Sequence, residues 1–217
     1  MKVKILLLLF AALVTAVISC KKSGDVAPIV KIAFINIINA TQDTLNIYQS
    51  GTRLNNTSNL YPSGSLAGLS VVAGTQNYQF KKAGNPNTLM EVPVTTDTLV
   101  THTLFVAGET PDKVFLTQDV LKNDTANVVK IRFINASPMA SNVDVYIGSN
   151  IVYKNLAFKA ETAYRNVSSG ANVLSIYQAG TTNLLTGGTL TLTSGNYTLY
   201  TKGGITGNAF GARILNR

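Results

Sequence analysis

Two tandem antiparallel β-sandwiches and no long helix are what this sequence predicts, and three observations carry that expectation. Apolar residues recur at every second position through several short segments, the period of a half-buried strand. Threonine, valine, isoleucine and tyrosine are frequent, and Gly-Asn turns separate the segments, which favours strands over helices. The chain also repeats itself once. Hydrophobic residues make up 46% of the chain and charged residues only 13%, a balance that argues against a long solvated helix or a disordered chain.

The repeat opens with Val30-Lys31-Ile32-Ala33-Phe34-Ile35-Asn36, which returns as Val129-Lys130-Ile131-Arg132-Phe133-Ile134-Asn135 at an offset of 99. Asn46-Ile47-Tyr48 matches Asp144-Val145-Tyr146 at an offset of 98. Val72-Ala73-Gly74 corresponds to Ser168-Ser169-Gly170 and Ala83-Gly84 to Ala179-Gly180, both at 96, and Thr103-Leu104-Phe105 to Thr198-Leu199-Tyr200 at 95. An offset that shrinks slowly in one direction reads as a duplicated domain with a few loop deletions. Each copy spans about ninety residues, an ordinary length for a sandwich domain. The expected domains are 27–121 and 128–217, joined by a polar connector at 122–127.

The second copy shows its strands most clearly. Lys130–Asn135 places Ile131 and Phe133 inward, and Val143-Asp144-Val145-Tyr146-Ile147 turns Val143, Val145 and Ile147 to one side. Asn172–Tyr177 and Thr189–Thr193 alternate as well, and Ser194-Gly195-Asn196 turns the chain into Tyr197–Tyr200. Asp144 is expected to project outward between inward-facing valines.

The N-terminus carries a separate signal. Lys2 and Lys4 precede an uncharged apolar run from Ile5 to Ile18, too short for the roughly 20 residues a spanning helix needs. A positive start, a short apolar stretch and small residues describe a secretory signal. The run ends in Val17-Ile18-Ser19-Cys20, which resembles the bacterial lipobox. Residues 1–19 are therefore expected to be a lipoprotein signal peptide, Cys20 the lipidated residue, and 20–26 a lipidated tether. Two or three acyl chains, palmitate among them, anchor stably where one does not. The expected location is the cell envelope, most simply the outer membrane, with periplasmic and surface faces both open. Cys20 is the sole cysteine, so an internal disulfide is excluded.

Loss of Lys2 and Lys4 lowers the formal charge from +8 to +6. A positive balance points to anionic partners in general, yet the basic residues are scattered and adjacent only at Lys21-Lys22 and Lys81-Lys82. No basic stripe interleaved with aromatics appears, so nucleic acid is not an expected partner.

Ile131 to Ile147 reads IRFINASPMASNVDVYI. This resembles the opening of a bacterial family catalogued as domain of unknown function 4397: a hydrophobic strand, an Asn-Ala-Ser-Pro turn, then a VDVY-like strand. The SSGANVLSIYQAG segment (Ser168 to Gly180) and TLTLTSGNYTLY (Thr189 to Tyr200) extend the resemblance over nearly all of the second copy. The first copy departs from it, with Ile37-Ile38-Asn39-Ala40 where the turn stands and asparagine for the aspartate of VDVY. The resemblance implies an immunoglobulin-like or transthyretin-like sandwich in exported proteins, often of Bacteroidota. It implies no activity.

Catalytic patterns are missing. No GxSxG, phosphate-binding glycine loop, CxxC or HExxH occurs. His102 is the single histidine, and no companion residues at metal-ligand spacing surround it. No enzyme activity, cofactor or metal is expected. Tyr61, Tyr78, Tyr153 and Tyr164 are candidates for a stacking platform on loops or faces, whereas Tyr48 and Tyr146, which match each other, read as framework. Asp43-Thr44-Leu45, Asp97-Thr98-Leu99 and Asp124-Thr125-Ala126 resemble the O-glycosylation sequon of Bacteroidota, with Thr125 in the connector favoured over Thr44 and Thr98. The function expected from all this is a membrane-anchored, non-enzymatic binding or adhesion module for a glycan or protein. The competing expectation is a structural subunit or spacer of an envelope assembly.

Overall fold

The computed structural model describes residues 29–119, 128–203 and 211–216. The leader, Cys20, the tether, the connector and Thr125 lie outside the described residues. Eight strands build the first half: β1 (Ile32–Asn39), β2 (Leu45–Gln49), β3 (Thr52–Arg53), β4 (Ser65–Val72), β5 (Gly74–Lys82), β6 (Met90–Thr96), β7 (Thr101–Val106) and β8 (Val114–Gln118). Eight more build the second: β9 (Val129–Ile134), β10 (Val143–Ile147), β11 (Asn150–Leu156), β12 (Arg165–Val167), β13 (Gly170–Gln178), β14 (Leu184–Leu192), β15 (Gly195–Lys202) and β16 (Gly211–Asn216). Among the described residues the one helical element is a 3₁₀ turn, Pro111–Lys113.

The sheets repeat. The first sandwich pairs the order β4-β1-β7-β8 with β3-β2-β5-β6, and the second pairs β12-β9-β15-β16 with β11-β10-β13-β14. Strand by strand the two topologies are the same. Pairing is antiparallel except at β1 with β7 and β9 with β15, which run parallel, a departure from the wholly antiparallel expectation. Alternation fills the space between the sheets. Ile35, Ile37, Ile47, Phe80 and Leu104 are among the buried residues of the first core, and Ile131, Phe133, Val145, Ile176 and Leu199 occupy the second. Gly74 and Gly170, matched in the repeat, both take positive φ (96° and 95°) where one strand turns directly into the next, a conformation that glycine alone adopts without penalty.

One register differs from the sequence match. Ile38 lies beside Phe105, and Ile134 lies beside Tyr200, the residue matched to Phe105. The structural equivalent of Asn135 is therefore Asn39, at an offset of 96 rather than 99. Both asparagines are fully buried and play one role. The Asn39 amide donates to the carbonyls of Asp43 (2.7 Å) and Leu60 (3.0 Å), and its oxygen accepts from the Thr41 backbone N–H (3.0 Å). The Asn135 amide donates to the Leu156 carbonyl (3.0 Å), and its oxygen accepts from the Ser137 N–H (3.3 Å). A slip of three, an odd number, would exchange the two faces of β1. The six identical letters at 99 misled because β1 is apolar in both phases.

That two-phase burial has a cause. The faces of β1, β7, β9 and β15 turned away from their own sandwich cores meet in a third core of Ile38, Ala40, Phe105, Ile134, Ala136 and Tyr200. Phe105 stacks on Phe115 at 5.2 Å and meets Tyr200 edge-on at 5.6 Å, and Phe158 meets Phe115 at 5.8 Å. Beside it lies a buried charge pair. Arg132 Nη2 donates to Asp119 Oδ1 (2.5 Å), with the two side chains 3% and 1% exposed. Asp119 Oδ2 accepts from Thr103 Oγ1 (2.7 Å) and Asn36 Nδ2 (3.3 Å), so the carboxylate is held from its own sandwich and neutralised from the other. Arg132 also donates to Thr198 Oγ1 (2.9 Å), the Gln118 carbonyl (3.0 Å) and Glu161 Oε1 (2.5 Å).

Removing one member of a buried pair costs about 3–5 kcal/mol when the other charge is left alone; Glu161 stays beside Arg132 here and places the expected loss at the lower end of that range. Asp119→Ala should lose stability of that order in urea unfolding, and Asp119→Leu combined with Arg132→Met should recover most of it. A double variant no more stable than the single would assign the loss to packing instead of charge.

Candidate functional site

The four tyrosines chosen from sequence do not come together. Tyr61 is 62% exposed in the loop between β3 and β4, and it alone presents a free ring. Tyr78 and Tyr153 are core residues, 1% and 5% exposed, which corrects their reading as stacking surfaces. Tyr78 shares the inward phase of β5 with Phe80, and register shifts between β10 and β11 accompany the inward placement of Tyr153. The Tyr153 hydroxyl donates to the Ile131 carbonyl (2.5 Å), with the Ala163 carbonyl also within reach (3.1 Å). Tyr164 is half-buried, with the Arg132 guanidinium 5.5 Å from its ring centre.

His102 is buried near the start of β7, its Nε2 3.6 Å from Asp97 Oδ2. Among the described residues no group of three His, Cys, Asp or Glu side chains gathers as a metal site would require. Asp144 does sit on the outward phase of β10, but it is covered, not projecting. Its two oxygens accept from the backbone N–H groups of Asn155 (2.7 Å) and Gly180 (2.9 Å). Burial pushes the Glu161 carboxyl above the usual range; Arg132 opposes that shift and Asp119 adds to it. Of the glycosylation candidates, Thr98 is exposed beside Leu99, which is 72% exposed, whereas Thr44 is half-buried.

What the fold does assemble is an apolar face with two half-exposed tyrosines on the second sandwich. The outward phase of sheet β11-β10-β13-β14 sets Ile151, Tyr146, Ser175 and Gly187 in one row across the four strands. Tyr177, paired with Leu184, lies in the next row, and the Tyr146 and Tyr177 rings meet edge to face at 5.2 Å. Val173 (54%), Leu184 (53%) and Ile151 (39%) are exposed around them. The signal was present in the sequence: with Val145 and Ile176 inward, Tyr146 and Tyr177 must face out. Reading Tyr146 as framework missed it.

The matching face of the first sandwich has different chemistry. Tyr48 faces Gln79 and Glu91 there, Gln79 Nε2 donates to Glu91 (3.0 Å), and the Lys81 ammonium sits 5.1 Å from the Tyr48 ring centre. Serine and glycine replace these long polar side chains in the second copy, whereas on the first face Gln79 and Glu91 line a cavity of about 530 Å³ with Ser50, Thr75 and Asn77.

Two clefts flank the second sandwich where the edges of its sheets approach. One, of about 480 Å³, runs between β11 and β12 and is lined by Ile151, Tyr153, Lys154, Thr162 and Arg165. The other, also about 480 Å³, lies between β14 and β16 beside Gly187, Gly188, Lys202 and Gly211. In the first cleft the Arg165 guanidinium lies 5.3 Å from the Tyr153 ring centre.

A duplicated β-sandwich with exposed apolar side chains around an aromatic pair on one outward sheet defines the class: a two-domain scaffold. The chain belongs to the family described as domain of unknown function (DUF4397), whose model matches residues 33–146 and 129–215. No curated protein matches the sequence. Among solved structures, the chain is similar to CBMbc (family CBM26) from Eubacterium rectale Amy13K, determined in complex with maltoheptaose. The identity is 12% over 85% of this chain and 97% of that one, with a TM-score of 0.24.

The Tyr78 hydroxyl is buried without a hydrogen-bond partner among the described residues, and burial pushes its pKa up to about 12. An unmade buried hydrogen bond is costly, so Tyr78→Phe should gain about 1 kcal/mol at pH 7. Above pH 10 the unfolded phenol ionises while the folded one does not, so the parent loses stability from pH 10 to 12. Urea melts across that range should show the margin of the variant widening; a constant margin would mean that the folded phenol titrates normally.

Proposed function

We propose that this protein is a non-catalytic binding module of the cell envelope, carried at a membrane by a lipid on Cys20. Its contact surface is the apolar face of the second sandwich, and its ligand is a glycan or the surface of another envelope protein. The observation that carries this reading is the half-exposed Tyr146–Tyr177 pair with the exposed Ile151, Val173 and Leu184 around it. Grouped exposed apolar side chains mark interaction surfaces more often than single ones do. Tyrosine supplies an apolar ring and a hydrogen-bonding tip in one side chain. On this face Ser175 and Gly187 stand in place of Gln79 and Glu91, so no long polar side chain of that row competes for the rings.

Both carboxylates between 128 and 217 already have structural partners, Asp144 on two backbone amides and Glu161 on Arg132. That leaves the second sandwich no spare pair for acid and base work, in keeping with binding rather than catalysis. The lipid anchor and envelope location rest on the Lys2 to Cys20 segment. The alternative, a spacer in an envelope assembly, draws on the third core, which joins the two sandwiches.

Labelled palmitate should enter the parent chain in cells and not Cys20→Ala. Tyr146→Ala with Tyr177→Ala should reduce retention of envelope polysaccharide or protein by roughly tenfold or more, the loss of one good aromatic contact. Retention that survives the double substitution would remove this face from the reading.

A further inference from the structure

The surface charge of the chain is divided unevenly between the sandwiches. Residues 27–121 hold five basic and six acidic residues, whereas residues 128–217 hold eight basic and two acidic. Both acids of the second copy are engaged: Asp144 is 4% exposed on two backbone amides, and Glu161 meets Arg132. The second sandwich therefore faces solvent with positive charge and almost no compensating carboxylate.

We propose that the cleft between β11 and β12 binds an acidic polysaccharide, with Arg165 and Lys154 holding its carboxylate or sulfate groups. The proposal rests on the binding-module reading and adds to the sheet face named there a second contact site with its own ligand class. Lys154 and Arg165 line this cleft together, and no carboxylate among the described residues pairs with either. Arg165 is pre-oriented: its planar group lies over Tyr153, and that ring is fixed in turn by the tie of its hydroxyl to the Ile131 carbonyl. A stacked guanidinium with its donor edge free suits a carboxylate or sulfate, and an adjacent ammonium adds a point charge. The cleft follows two strand edges and is open to solvent, so it admits an extended chain. Nucleic acid fits less well, because Tyr153 is covered and no free ring in the cleft is left for a base to stack on. Lys159 is left out of the site: it does not line the cleft, and its ammonium lies 5.5 Å from the Phe158 ring centre.

The test uses the full chain in detergent, with polygalacturonate as the acidic probe, amylose as the neutral one and anionic phospholipid vesicles as the lipid one. Polygalacturonate should bind, with affinity falling as salt rises. Lys154→Gln with Arg165→Gln should weaken it roughly tenfold or more, with unfolding curves confirming an intact fold. Lys31→Gln with Lys81→Gln removes equal charge from the first sandwich and should leave binding unchanged. Equal losses from both pairs would overturn the site in favour of diffuse charge. Amylose bound as well as polygalacturonate, or vesicles bound in its place, would overturn the ligand class. Binding of another envelope component that depends on Tyr146 and Tyr177, without polygalacturonate binding, would overturn this inference and leave the binding-module reading standing.

Discussion

The Arg132–Asp119 contact is the constraint around which the two sandwiches are arranged. A buried guanidinium and a buried carboxylate are each costly alone, and together they are tolerable only with their remaining hydrogen bonds satisfied. Thr103, Asn36, Thr198 and the Gln118 carbonyl meet that condition. The position that carries Arg132 in the second copy carries Asn36 in the first, and both side chains converge on the same aspartate. Duplication supplied two equivalent positions, and divergence at one of them supplied the cation that joins the copies. The third core of Ile38, Phe105, Ile134 and Tyr200 then closes against this polar cluster and shields it from water.

Joining the copies along one pair of sheets leaves the other pair facing outward, and there the duplicates have parted chemically. The first outward sheet is self-satisfied, with Lys81 on Tyr48 and Gln79 on Glu91. The second has surrendered those contacts to serine and glycine and keeps its tyrosines. A fixed scaffold with one polar surface and one apolar, aromatic one is an economical outcome of gene duplication, because one copy can hold the pair together while the other copy changes.

Much of the architecture was legible in the sequence. Strict alternation in Val143–Ile147 and Asn172–Tyr177 gave strand identity and facing direction together, and the left-handed glycines at 74 and 170 kept their places in the repeat. The failures have physical causes. Alternation cannot register a strand that is buried on both faces, so β1 was matched three residues out of step. A tyrosine whose hydroxyl finds a backbone carbonyl is as good a core residue as a phenylalanine, which is why Tyr153 went inward. Asp144 kept its outward phase but was covered by the segments whose amides it accepts. The pair Asp119 and Arg132 could not be foreseen, because 13 positions along the chain say nothing about a contact between two domains.

Parallel pairing of β1 with β7 has a consequence for the order of assembly. The opening strand of each sandwich cannot complete its sheet until the chain has travelled through nearly the whole domain, so closure is non-local and correspondingly slow. A chain released progressively from its N-terminus could pair β1 with β4 but would leave the other edge of β1 open until β7 arrives. Even then Ile38 and Phe105 would stay bare and Asp119 unneutralised until β9 and β15 follow. The first copy is thus a domain by topology and a dependent by energetics: it reaches its final state only with the second copy in place.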